Sequence, residues 1–93
     1  MNKCLRINIV LQEVPKDFLQ NGVQKYAHKF KIEGTAQAVD GINVKIIACG
    51  EKEQIDLFLD AVHREIARFS PKDIQIEPFL KEKDYRGVFR IIE

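Results

Sequence analysis

Residues 33–50 read EGTAQAVDGINVKIIACG, and the fold follows from how this stretch divides. Residues 33–39 and 42–49 read as two strands around Asp40-Gly41. Asp-Gly between two such segments is a strong hairpin signal, because glycine accepts positive φ. In the second strand Ile42, Val44, Ile46 and Ala48 share a face opposite Asn43 and Lys45, and Gly50 ends it. Such a strand buries one face, so something must cover it.

The flanking segments supply that cover. Before the hairpin, Leu19, Val23, Tyr26, Ala27 and Phe30 fall at helical spacing and predict an amphipathic helix over residues 17–30. Asp17 is its expected cap. Gly22 inside it costs about 1 kcal/mol relative to Ala and would let the helix pack closely on the sheet. After the hairpin, Ile55, Phe58, Leu59, Val62, Ile66 and Phe69 mark a second helix. Glu51, Glu53 and Asp56 stand near its start and Arg64 and Arg68 near its end, as the helix dipole favours. Ser70-Pro71 stops it.

Further out, Leu5, Ile7, Ile9 and Leu11 alternate with Arg6, Asn8, Val10 and Gln12, which predicts a first strand. Glu13 to Asp17, with Pro15 among them, breaks it. Ile74, Ile76 and Pro78 suggest an edge strand. Lys81 to Asp84 reads as a charged turn, and Phe89 and Ile91 alternate with Val88, Arg90 and Ile92 in a last short strand. The order is β-α-β-β-α-β with an extra terminal strand. Right-handed crossovers then give an α+β, ferredoxin-like βαββαβ sandwich: an antiparallel sheet with two helices on one face. Residues 1–93 are expected to form this single domain, since so short a chain builds one core.

Composition narrows the function classes. Lys plus Arg number 15 and Asp plus Glu 14, a net charge of +1, which disfavours polybasic nucleic-acid and membrane binders. No apolar run approaches the roughly 20 residues of a membrane span. No signal-peptide core follows Met1, so a cytoplasmic location is expected. Cys4 and Cys49 then read as two buried or half-buried thiols. His28 and His63 lie on separate helices without a third ligand, so no metal and no cofactor is expected. Lys25, Lys29 and Lys31, with Lys3 and Arg6 nearby, read as a solvated basic stripe. The open-face positions Arg6, Asn8, Val10, Asn43, Lys45 and Ile47 include no aromatic for base stacking, which argues against nucleic acid. Val10, Ile47 and Cys49 would form a modest apolar patch there, suggesting a homodimer or a partner surface.

Four further features point to a family. Ala27 to Gly34 forms an Ala-(x)6-Gly segment, and Gly34 to Gly50 spans a hairpin. Gly50-Glu51 leads into the second helix, and Tyr85-Arg86-Gly87-Val88-Phe89-Arg90-Ile91 ends in Phe-x-Ile. In these the chain resembles the acylphosphatase family along nearly its whole length. The resemblance implies hydrolysis of a carboxyl-phosphate bond without a metal. A Gly-x-Val-Gln-Gly-Val-Gly-Phe-Arg loop would cradle the phosphate with backbone N–H groups and the Arg guanidinium. An Asn on the second strand would orient the attacking water.

The positions that resemblance assigns are substituted here. Counting back from Ala27, the family's Arg falls on Gln20, its two loop glycines on Lys16 and Phe18, and its Gln on Pro15. Counting on from Gly34, its Asn falls on Ala38. The phosphate loop thus maps to Pro15, Lys16, Asp17, Phe18 and Leu19. Pro15 brings no N–H, Phe18 would be strained at positive φ, and Asp17 would put a carboxylate where a phosphate sits. Ungapped counting also puts Asn8 and Val10 on the buried face, against the alternation of Leu5, Ile7, Ile9 and Leu11. A one-residue deletion in the loop reconciles the two and makes a poorer cradle. Loss of the bidentate Arg alone costs roughly a thousand-fold in rate. The expected function is therefore a degenerate, non-catalytic acylphosphatase-like domain that binds an unidentified protein or small molecule. The alternatives are an active hydrolase with Lys16 or Arg6 on the phosphate, and a small-molecule-sensing regulatory module.

Overall fold

The computed structural model describes residues 2–78, 80 and 85–92. The charged turn expected at Lys81 to Asp84 lies outside them. Strand β1 is Asn2–Val10, and a π-helical segment, Phe18–Gln24, runs on into helix α1, Lys25–Lys29. The hairpin is β2, Glu33–Ala38, and β3, Asn43–Glu51. Helix α2 is Lys52–Ala67, followed by β4, Asp73–Pro78, and β5, Phe89–Ile92. The sheet order is β4-β1-β3-β2-β5. β1 pairs antiparallel with β3 and β4, as β2 does with β3, while β5 runs parallel to β2. The expected four-stranded antiparallel sheet is thus extended into a mixed one by its terminal strand.

The alternation decides the buried face. Ile7 stands opposite Ile46 and Ile9 opposite Val44, with Ala36 next to Ile46 on the other side. All five are buried, in one core with Phe58, Val62 and Ile66 of α2 and with Val23 and Ala27. Asn8 and Val10 are left half-buried on the other face, so the alternation prevails over ungapped counting. Two details of the hairpin strands differ from expectation. Ile42 is exposed at the turn, while Ile47 and Cys49 are buried although they point away from the helices. β3 is the central strand, flanked on both sides, and its neighbours shield that face. The patch of Val10, Ile47 and Cys49 is therefore not an open surface.

The first helix begins as a π-helix rather than an α-helix. Lys25 donates its N–H to the Gln20 carbonyl, a span of five residues. The wider turn puts Phe18 and Val23 on the same buried side and Ala27 one α-turn further on. Asp17 occupies the cap position but makes no side-chain cap bond. Gly22 packs against the Phe18 ring and Glu65 of α2, not against the sheet.

The β2–β3 turn closes by a different device from the one expected. Gly41 has no positive φ. Instead Asp40 Oδ1 accepts the N–H groups of Ile42 and Asn43, both at 2.8 Å, and Asn43 Nδ2 donates to Oδ2 at 2.9 Å. These bonds hold the Asp40 carboxyl below its ordinary pKa of 3.8, the Ile42 N–H contributing most. The glycine that the hairpin does require is Gly34. Its φ is +143°, and a Cβ there would overlap the Ile47 carbonyl oxygen.

The same register makes Cys4 and Cys49 direct partners across β1 and β3. They form a disulfide with 4.1 Å between Cα atoms, so the two thiols expected from sequence are absent. Only the strand pairing brings them together, and no spacing rule reveals it.

Three outcomes follow. Gly34→Ala should lose about 3 kcal/mol or more, while Gly41→Ala, with open space around its Cα, should stay within about 0.5 kcal/mol, both read by urea denaturation. Reducing the bridge, which spans 45 residues, should cost up to about 4 kcal/mol, measured by the denaturation midpoint with and without dithiothreitol. Because the folded pKa of Asp40 is depressed, its stabilisation is complete above 3.8 and fades as pH falls through the folded value. The stability gap between the native chain and Asp40→Ala should therefore be wide at neutral pH and close in acid.

Candidate functional site

The segment leaving β1 is laid along the hairpin turn. Leu11 donates its N–H to the Ile42 carbonyl at 2.8 Å, and Val14 donates to the Gly41 carbonyl at 2.9 Å. Leu11 itself is fully buried. Phe18 then pins the far end of the segment. It is buried and meets Phe69 edge-to-face, with ring centroids 5.6 Å apart. Between these anchors the chain turns at Pro15–Phe18, where the Phe18 N–H bonds to the Pro15 carbonyl at 3.1 Å. Gln24 Nε2 donates to the Phe89 carbonyl at 3.2 Å and ties the π-helical segment to β5.

This arrangement borders an open cavity of about 370 Å³. Its walls are Val14, Pro15, Lys16, Leu19 and Gln20 from the segment, Ala38, Asp40 and Gly41 from the hairpin, and Ile91 and Ile92 from β5. Gln20 and Ala38, which sequence counting reaches from opposite directions, therefore face one space, together with Pro15, Lys16 and Leu19. Asp17 and Phe18 do not. They line a neighbouring cavity of about 340 Å³ with Asn21, Gly22, Glu65, Arg68 and Phe69, and Pro15 and Lys16 border both. The carboxylate expected at the phosphate position is thus turned away from Gln20. Asp40, Gly41, Ile91 and Ile92 read from sequence only as turn and strand residues. The proximity of Ile91 and Ile92 to Gln20 depends on β5 pairing with β2, and that of Asp40 and Gly41 on the segment lying along the hairpin turn, neither of which local patterns reveal.

The backbone of the loop is not an anion nest. A nest alternates right- and left-handed residues so that successive N–H groups converge. Among the described residues positive φ occurs at Lys31, Gly34, Ser70, Arg86 and Gly87, and none of these is in residues 12–20. Phe18 is thus free of the strain expected for it. Within the loop, Val14 and Phe18 spend their N–H groups on backbone carbonyls, and so does Asn21, on Asp17 at 2.9 Å. Pro15 has none to give.

The charges are distributed unevenly. Lys16 is exposed and forms no ion pair with any described residue. Asp40 is the cavity's acidic group, and its oxygens are occupied by its own turn. Arg6, a candidate phosphate ligand from sequence, is elsewhere: it lies on the open sheet face, 2.7 Å from Glu77. Lys3 pairs with Asp56 at 3.4 Å, so neither extends the stripe of Lys25, Lys29 and Lys31. His28 and His63 are exposed, and among the described residues no three His, Cys, Asp or Glu side chains are grouped for a metal. No helix of the described chain is long and apolar enough to cross a membrane.

No protein-family model and no curated protein matches the chain. Solved structures do. An acylphosphatase from Coxiella burnetii is 20% identical with a TM-score of 0.81, over 98% of this chain and 93% of that one. An acylphosphatase from Bacillus subtilis is 24% identical with a TM-score of 0.79, over the whole of both chains. HypF from T. kodakarensis contains a similar unit: 16% identity and a TM-score of 0.78 over all of this chain but 12% of that one. Identities this low carry architecture rather than chemistry, and the architecture matches from end to end: this chain has the acylphosphatase-like, ferredoxin-like fold.

Proposed function

We propose that the chain is an acylphosphatase-like domain that has lost hydrolysis of carboxyl-phosphate bonds and acts as a binding module. The observation that carries this reading is the cavity shared by Gln20 and Ala38. At the position of the charged clamp stands a neutral amide, and at that of the water-orienting amide a methyl group. Neither can stabilise charge developing on a transferred phosphoryl group. The loop supports the same reading, since a buried Phe18 and a Pro15 stand where a phosphate cradle needs turning glycines and N–H donors.

One cation favours the rival reading of a rearranged hydrolase: Lys16 borders the same cavity without an ion-pair partner among the described residues. An ammonium supplies a point charge without the bidentate geometry of a guanidinium. Benzoyl phosphate hydrolysis separates the two. Turnover should stay at background, and a rate within tenfold of an ordinary enzyme's roughly 1–10³ s⁻¹ would overturn the non-catalytic reading. The Gln20→Arg, Ala38→Asn double variant should remain well below such a rate, because two side chains do not rebuild the backbone cradle.

A further inference from the structure

The donors and acceptors around the Gln20 cavity are lopsided. On the acceptor side, Asp40 Oδ1 receives three N–H contacts at 2.8, 2.8 and 3.1 Å, and Oδ2 one at 2.9 Å. Its carboxylate is already solvated by its own turn. On the donor side, the Lys16 ammonium and the Gln20 carboxamide have no partner among the described residues. A ligand entering this space meets unspent donors and a carboxylate largely engaged by its own turn. The remaining wall is aliphatic: Val14, Leu19, Ala38, Ile91 and Ile92.

Resting on the non-catalytic reading above, we infer that this cavity binds a small organic monocarboxylate, its oxygens on Lys16 and Gln20 and its apolar body against Leu19, Ile91 and Ile92. One negative charge suits the site better than two. A single ammonium neutralises a carboxylate, whereas a phosphate dianion needs several converging donors and meets about twice the repulsion from Asp40 that a carboxylate does. A cationic ligand meets the Lys16 ammonium and is repelled by it. A space of about 370 Å³ accommodates a body the size of one ring and lies at the small end of ligand pockets.

Benzoate is a suitable probe, titrated into the ¹⁵N-labelled native chain and followed by amide chemical shifts. Saturation is expected with a Kd near about 1 mM, as befits so few ligand atoms. The shifts should cluster on Leu19, Gln20, Gly41 and Ile91. Lys16→Gln should weaken binding about tenfold, as loss of a charge-assisted contact does, and Lys25→Gln, on an exposed face away from the cavity, should leave it unchanged. The inference is overturned by any of four results. These are no saturation, equal binding of benzylammonium or inorganic phosphate, shifts centred on Asn21, Glu65 and Arg68 of the neighbouring cavity, or an unaltered Kd in Lys16→Gln. Benzoyl phosphate turnover is read separately. Background turnover without benzoate binding sinks this inference alone, and rapid turnover sinks the reading beneath it.

Discussion

The pairing of Ile7 with Ile46 sets everything else. It fixes β1 against β3 with Ile7, Ile9, Val44 and Ile46 on the helix side, and a slip of β1 by one residue would put Arg6 and Asn8 there in place of Ile7 and Ile9. No hydrogen bonding would compensate for burying that polar set. The register in turn fixes where β1 delivers the chain. Leu11 arrives beside Ile42 and Val14 beside Gly41, so the following segment has to lie along the hairpin turn before it enters the helix.

The segment between β1 and the helix is where the fold's demands and a phosphate cradle's demands conflict. Phe18 is recruited into the core against Phe69, and the helix accommodates it by opening its first turns to π geometry. In this loop the N–H groups of Val14, Phe18 and Asn21 are already bonded to backbone carbonyls and do not converge on an anion. The cavity persists because β5 and the hairpin wall it. Its chemistry is that of exposed side chains rather than of backbone.

Much of this fold was legible in the sequence because it rests on period. The alternation at Leu5 to Leu11 and the helical spacing from Ile55 to Ile66 each record one buried face, and the elements lie where those patterns end. Features that depend on two distant segments were not legible. The buried state of Ile47 and Cys49 needs neighbours on both sides of β3, and the Cys4–Cys49 bridge needs the register. Asp40-Gly41 gave the correct turn for the wrong reason, since a side-chain carboxylate closes it where a glycine conformation was expected. For the site, counting from Ala27 and Gly34 reached Gln20 and Ala38, which do share a cavity. Asp17 and Phe18, reached by counting through the loop, line the neighbouring cavity instead. A π-turn changes which residues face inward and leaves no mark in the local composition.

The bridge between Cys4 and Cys49 divides the molecule by covalent topology. Everything from β1 through the first helix to β3 lies inside a closed ring of chain, and α2, β4 and β5 hang outside it as a tail. The exposed stretch at Gln12-Glu13 lies within the ring. A protease nicking it would leave one covalent molecule, with both cut ends still held on the central strands. A cut in the tail would instead release a fragment, and with it a wall of the cavity. The cavity thus takes Ile91 and Ile92 from the tail and the rest of its wall from the ring, and its integrity reports whether the two parts are still docked.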